Sequence, residues 1–487
     1  MNSSLPLVLY KEGTYKVPIF LYSNSDKQYI HSNFSHLARL PHVRETIVFL
    51  PDFHHKPLLE TPSSSVILTD KFFSLALTSP SQNCGMNLIM TPMSKEDISP
   101  VFIKEFISKI RATVPLRNNL PILSKEEVLQ ALKDGAKWAV KRYGLPESMP
   151  DNIEHQGNLL DKKEVSSSDI EASIPQEIIE VSRSRFGIIG GGNHFLELQI
   201  VDEIFDDSIA RAWGLKQNQV VIMSHTGSDA LGAYLGRLYA HRRKTSIKQH
   251  LYFYGKKIRY HLLRHPWKSK LRRISYYFSP TSFRFIDSSI PEGQRVILAI
   301  NSASNFAFAN RTAIIHAIRK ALQKTSADSN LQIDLLYDCS HNSIYEETIN
   351  GKTFWAHRHN ACRVYPPSLL KHHPAFAHTG QPVILPGTNQ TSSFICAGRE
   401  GSVATHFTVD HGLGAVQKRS EKPPPPEKIT NFSYLFGYEN DVPQKVPRFS
   451  DNIINKALEI LNKADIIKTV ARLKPLATLK GPKQRVV

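Results

Sequence analysis

The chain has 487 residues, 41% hydrophobic and 21% charged, the balance of a globular protein able to bury one large core or a few ordinary ones. Its 61 Lys and Arg against 43 Asp and Glu leave a net charge of +18, which favours a polyanionic partner, most simply nucleic acid. No run of about 18 apolar residues argues for a membrane span, and four scattered cysteines without a Cys-x-x-Cys pair argue against a disulfide framework or a redox motif.

The first residues, MNSSLPLVLYKEG, lack the basic and apolar regions of a signal peptide. A cytoplasmic setting with no membrane partner is expected. Residues 103–113, FIKEFISKIRA, have helical periodicity. So do residues 124–143, where Ser124 and Glu127 make a capping box. Residues 151–180 are polar, acidic and Ser-rich, and read as a surface loop or mobile segment. Residues 186–199, FGIIGGGNHFLELQ, set a flexible glycine turn before an alternating strand. Taken alone, this is equally a tight turn beside a core histidine. Residues 218–223 and 332–337 read as buried strands, each running into a histidine. Residues 305–324 form a long amphipathic helix, 421–427 (EKPPPPE) a solvated break, and 451–470 a further helix. Helices and short strands mix without a βαβ rhythm, so the fold class is α+β.

Residues 241–273 stand apart, with twelve Lys and Arg, no Asp or Glu, and interleaved Tyr252, Phe253, Tyr254, Tyr260 and Trp267. Cations that follow phosphates and rings that stack on bases suit single-stranded RNA or DNA. A solvated charged surface and a basic amphipathic membrane helix are the alternatives.

Several histidines sit at strand ends or glycine turns: His194 after GGGN, His225 in MSHTGSDALG, His341 in YDCSHNS and His411 in TVDHGLG. Cys84, in SQNCGMNLI, also precedes a glycine. Each alone is more often a satisfied core or surface residue. Together, Cys and His favour a borderline cation such as Zn²⁺ or Mn²⁺ over Mg²⁺.

In order along the chain, LPDFHHKP (50–57), NCGMNLI (83–89), GGGNHFLEL (190–198), SHTGSDALG (224–232), NFAFANR (305–311), DCSHNS (338–343), GQPVILPGT (380–388), DHGLGAV (410–416) and VARLKPLATLKG (470–481) resemble the RtcB family of GTP-dependent RNA-splicing ligases. The resemblance implies one large catalytic domain over 1–487, its helices and sheets arranged around a central metal and nucleotide pocket, with a basic insertion at 240–280. It implies that His411 attacks the α-phosphate of GTP to give a histidine–GMP adduct, and that Asp52 orients its ring. Cys84, His194, His225 and His341 would hold one or two Mn²⁺ ions. Asn193, Glu197, Gly412, Gly414, Phe449 and Lys480 would hold the guanylate. The substrates implied are tRNA halves or broken RNA, whose 2′,3′-cyclic phosphate or 3′-phosphate ends are joined to 5′-hydroxyl ends. An archease-like activator is a further partner it implies.

Some positions depart from the family pattern. The metal-binding aspartate three residues before the cysteine is Ser81 here. Asp410 replaces a frequent cysteine, Ser228-Asp229-Ala230 replaces Ser-Arg-Gly, and an arginine after the nucleophile becomes Ala415. A hydroxyl is a poor substitute for a carboxylate on a hard divalent cation, so one metal position is expected to be weakened. This leaves a second reading, an RtcB-like RNA-binding protein that keeps GTP and metal binding without full ligation. A hydrolase or structural metalloprotein built on the Cys/His cluster is a third.

Overall fold

The computed structural model describes residues 6–10, 13–23, 27–56, 59–240, 247–263, 267–279, 283–414, 431–439 and 442–481. The 421–427 proline run, Ala415 and Arg242, Arg243, Lys244 and Arg264 of the basic segment lie outside these residues, as does the Trp267 side chain.

The architecture is α+β, as the mixed pattern implies. Among the described residues, two large sheets dominate. One has six strands in the order Leu7–Leu9, Ile19–Leu21, Val43–His54, Ser63–Thr69, Lys352–His359, Asn342–Ile349. The other has nine, with the main path Asp334–Ser340, Gly85–Ser94, Gln219–Thr226, Phe195–Ile204, Ile467–Lys480, Ser393–Gly398, Pro382–Leu385. Pairing along this path is antiparallel throughout. Val220, Val221, Ile222 and Met223 are completely buried. A continuous apolar run of this kind, rather than an alternating one, marks a strand covered on both faces.

The helix expected over 305–324 is longer, Pro291–Thr325, and starts with proline in its first turn, where no backbone N–H bond is lost. Its middle is rich in Ala, Ser and Asn, and residues from Ala299 to Ile315 are all buried. Small side chains let it run close to its neighbours. The helix Lys125–Tyr143 has the expected capping box and ends at Gly144, whose φ of 56° stops it. Pro100–Thr113 matches the first helical pattern. No helix among the described residues is long and apolar enough to cross a membrane.

Two expectations are corrected. Residues 151–180 are not a loop: they hold two short 3₁₀ turns and the helices Ser167–Ser173 and Gln176–Ser182. Ile170, Ile174, Ile178 and Ile179 anchor them in the core, and four apolar residues at helical spacing outweigh a polar average. Residues 451–470 are not one helix. The helix ends at Lys463, and the long strand Ile467–Lys480 follows and enters the middle of the large sheet. Its burial there is near-alternating, the period of a strand.

The basic segment folds as the helix Ile247–Lys257, a π turn at Ile258–Leu263 and the helix Trp267–Tyr277. Part of its charge is structural. Lys257 is buried and donates to the carbonyls of Ala240 (2.7 Å) and Tyr277 (3.0 Å). Arg273 is buried against Glu292 at 2.8 Å. The His261 ring stacks on Tyr277 at 3.8 Å. Buried charges are tolerated where they are paired in this way.

Candidate active site

Strand register collects the candidate residues at one end of the large sheet. Ser340 pairs with Gly85, and Gly85 with Thr226. Met86 pairs with His225, His225 with Phe195, and Phe195 with Lys480. Cys84, His194 and His341 each sit one residue beyond such a pair. The five segments, up to 396 residues apart in sequence (84 to 480), therefore end together. Across from them, the strand Val43–His54 brings Asp52, and the short strand Thr408–Asp410 delivers His411.

The residues line one cavity of about 670 Å³. Nε2 of His194 lies 3.1 Å from the Cys84 sulfur, and Nε2 of His225 lies 3.3 Å from it. The ligand atoms of Cys84, His225 and His341 all fall within 4.8 Å of one another. The His341 ring is 4.8 Å from that of His225 and 4.1 Å from that of His411, centre to centre. The Ile189 carbonyl accepts from Nδ1 of His194 at 2.8 Å. That bond sets the tautomer and leaves Nε2 bare toward the thiol, the usual arrangement behind a metal-binding imidazole. Burial, reinforced by the neighbouring rings, holds His225 and His341 well below the ordinary imidazole range, so both are neutral. Nδ1 of His341 is buried with no hydrogen-bond partner among the described residues. A soft thiol and neutral imidazoles this close, one with an orphaned nitrogen, fit a divalent cation of the Mn²⁺ or Zn²⁺ kind. Ser81 lines the same cavity.

Glycine explains the turn before His194. Gly190 has φ of +76°, and a Cβ there would lie 3.0 Å from Nδ1 of His194. Both the conformation and the space at position 190 therefore call for glycine.

His411 is held neutral. Burial first, then Lys56 and His54, push its pKa down to about 3. Its Nδ1 has no hydrogen-bond partner among the described residues. Asp52 is buried on the same cavity wall. On the other flank, Glu197 accepts from Thr478 at 2.5 Å and from Gln199 at 2.6 Å. Burial pushes its pKa up to about 7. Asn193, Gly412, Gly414 and Lys480 line the cavity as well. Phe449 does not line it. Its backbone N–H donates to the Gln390 carbonyl at 2.7 Å, which ties it to the loop whose Thr388 and Asn389 do.

Sequence reasoning missed the residues that brace the thiol. Arg311 is completely buried, paired with Asp338 at 2.8 Å. It also donates to the Asn83 carbonyl (2.9 Å) and to the Asn83 side chain (3.2 Å). One guanidinium therefore fixes the residue before Cys84 and the strand before His341. The signal was an arginine at the end of an otherwise small and apolar helical run, NFAFANR.

A family profile described as "tRNA-splicing ligase RtcB" matches residues 33–481. Relatives carrying that name include proteins of Pyrococcus furiosus (31% identical over 419 residues) and Pyrococcus horikoshii (31% over 419 residues), with 82% of this chain aligned in each case. The chain spans only 40% and 44% of the length of those two. It spans 80% of a Methanococcus maripaludis relative of the same name, 31% identical over 421 residues. With the profile covering nearly all of the sequence and the pocket built from its motifs, the chain belongs to the RtcB family.

Proposed function

We propose that this chain is an RNA ligase that joins 2′,3′-cyclic phosphate or 3′-phosphate ends to 5′-hydroxyl ends through a histidine–GMP adduct, in tRNA splicing or RNA repair. The observation that carries the proposal is the convergence of Cys84, His194, His225, His341 and His411 on one cavity with Asn193, Glu197 and Lys480. We take residues 1–487 as one catalytic domain with the basic insertion at 240–280 inside it.

Neutral His411 is the nucleophile. It forms a bond to the α-phosphorus of GTP while pyrophosphate leaves. Asp52 orients the ring for that attack. Asn193, Glu197, Lys480 and the backbone at Gly412 and Gly414 hold the guanylate. Phe449 can offer its ring to guanine from its tethered loop. The GMP group passes to an RNA 3′-phosphate, and a 5′-hydroxyl then displaces GMP and seals the strand. Cys84, His194, His225 and His341 would hold one or two Mn²⁺ ions, with the Ser81 hydroxyl where the family pattern has a carboxylate. Mn²⁺ held there would neutralise phosphate charge and activate the attacking and leaving oxygens.

The neutral Ser81 favours a second reading, in which the chain binds GTP, metal and RNA but ligates incompletely. Incubation with [α-³²P]GTP and Mn²⁺, followed by a ligation assay on broken RNA, separates the two. An acid-labile adduct and a sealed strand support the ligase. An adduct without sealing supports the second reading. No adduct overturns the ligase.

A further inference from the structure

A second cavity, of about 610 Å³, lies where the helix Ile247–Lys257 of the basic segment crosses the helices Gln176–Ser182 and Ala230–Leu238. Tyr234, Tyr252 and Phe253 line it. Tyr252 and Phe253 meet edge to face, with centres 5.3 Å apart. The Arg237 guanidinium lies 5.7 Å from the Phe253 ring, and the Lys256 ammonium 5.5 Å from the Tyr252 ring. Four cations line this cavity (Arg185, Arg237, Lys248 and Lys256) against two carboxylates, Glu177 and Asp229.

Its position matters as much as its lining. The helix Ala230–Leu238 starts shortly after His225. Asp229, at that start, lines the second cavity, and its Oδ1 approaches the space beside Gly190. A Cβ on Gly190 would lie 3.2 Å from that oxygen and 3.0 Å from Nδ1 of His194. Asp229 therefore lines this cavity and also reaches the space beside the His194 imidazole.

Aromatic faces beside unbalanced positive charge match a base and its phosphate. Arg185 pairs with Asp229 at 3.4 Å and Lys256 with Glu177 at 3.3 Å, which leaves a net positive lining; a purely aliphatic ligand would gain nothing from that excess, and a cation would be repelled. We propose that this cavity holds one nucleotide of the RNA strand whose end is presented to His411. The base packs against Tyr252 and Phe253, and its phosphate is met by Lys248 and Arg237. Base–aromatic stacking of this kind tolerates any sequence. The proposal rests on the reading of this chain as an enzyme of RNA ends. It adds an anchoring site built by the basic segment.

The test uses the full chain and a short fluorescein-labelled single-stranded RNA ending in a 3′-phosphate. Tyr252 is 55% exposed, so Tyr252→Ala and Lys248→Gln are not expected to unfold the protein, and a thermal melt checks this. We expect RNA binding about ten-fold weaker in Tyr252→Ala, largely restored in Tyr252→Phe, and a shallower salt dependence in Lys248→Gln. Ultraviolet crosslinking should mark a peptide within 247–256. Unchanged affinity in both variants, or crosslinks that avoid 230–256 altogether, overturns the proposal. GMP labelling of the unaltered chain is read separately. Labelling without crosslinks in this cavity removes the anchoring site and leaves the ligase, whereas crosslinks without labelling remove the ligase and leave the site.

Discussion

The backbone N–H of Asp52 donates to the carboxylate of Asp410 at 3.2 Å. This bond joins the strand that carries the proposed orienting residue to the strand that delivers His411. Asp410 is completely buried, and its second oxygen has no hydrogen-bond partner among the described residues. Burial pushes its pKa up to about 7. In the unfolded chain an aspartate titrates at about 4. The folded state thus holds a proton that the unfolded state has released, and the associated stability is full below about pH 4 and lost as pH rises toward 7. Asp410→Asn cannot titrate. Urea melts of both proteins should show the wild-type advantage shrinking by about 1.4 kcal/mol per pH unit in that window and levelling off above it. A pH-independent difference would contradict the buried neutral carboxyl. Acid protonation of the histidines is common to both proteins and cancels in the comparison.

His411→Ala should abolish the GMP adduct. Asp52→Asn should form it about 10²-fold more slowly, because the ring loses its orienting carboxylate. The Asp52–Asp410 link uses the backbone of Asp52, so this variant keeps the strand connection and should melt near the wild type. Rapid-quench labelling with GTP gives the rate. An unaltered rate would remove Asp52 from the chemistry.

Ser81→Asp should raise Mn²⁺ affinity by about ten-fold, since it supplies a charged oxygen ligand where the cavity wall has a hydroxyl. Calorimetric titration of the metal-free protein measures this directly. If neither affinity nor the number of ions bound changes, Ser81 is not at a ligand position.

Gly190→Ala should weaken metal binding by about ten-fold or more. The new methyl would press on His194 and disturb its bond to the Ile189 carbonyl. Gly214 has a similar φ, +74°, but open space around it. Gly214→Ala therefore controls for backbone strain alone, and it should leave Mn²⁺ affinity, read by the electron paramagnetic resonance of the free ion, where it was.

Arg311→Met should cost about 3–5 kcal/mol of stability, because it leaves the Asp338 carboxylate buried without its partner. Denaturant unfolding measures the loss. Metal affinity should fall with it, since the Asn83 carbonyl beside Cys84 loses its donor. A variant as stable as the wild type would mean that the Arg311–Asp338 pair contributes little.

Much of this protein was legible without coordinates. Capping and periodicity placed the helices Pro100–Thr113 and Lys125–Tyr143, because those signals are local. Residue chemistry singled out Cys84 and the four histidines, because a thiol and several imidazoles recur together at glycine turns and strand ends, where backbones present side chains to a shared site. Local signals failed where a neighbour decides the outcome. The helices within 151–180 are held by a few isoleucines under a polar surface, and the strand Ile467–Lys480 exists because three others pair with it. Likewise the basic run shows its charge in the sequence, but not that Lys257 and Arg273 are used inside the fold while Tyr252 and Lys248 line a cavity. Composition and motif order determine the family and the types of ligand atom. Only the antiparallel register, which sets Gly85, Thr226, Phe195, Lys480 and Ser340 at one end of a sheet, brings those atoms within ångströms. Hydrogen-bond pairing acts between segments remote in sequence, and no window along the chain contains it.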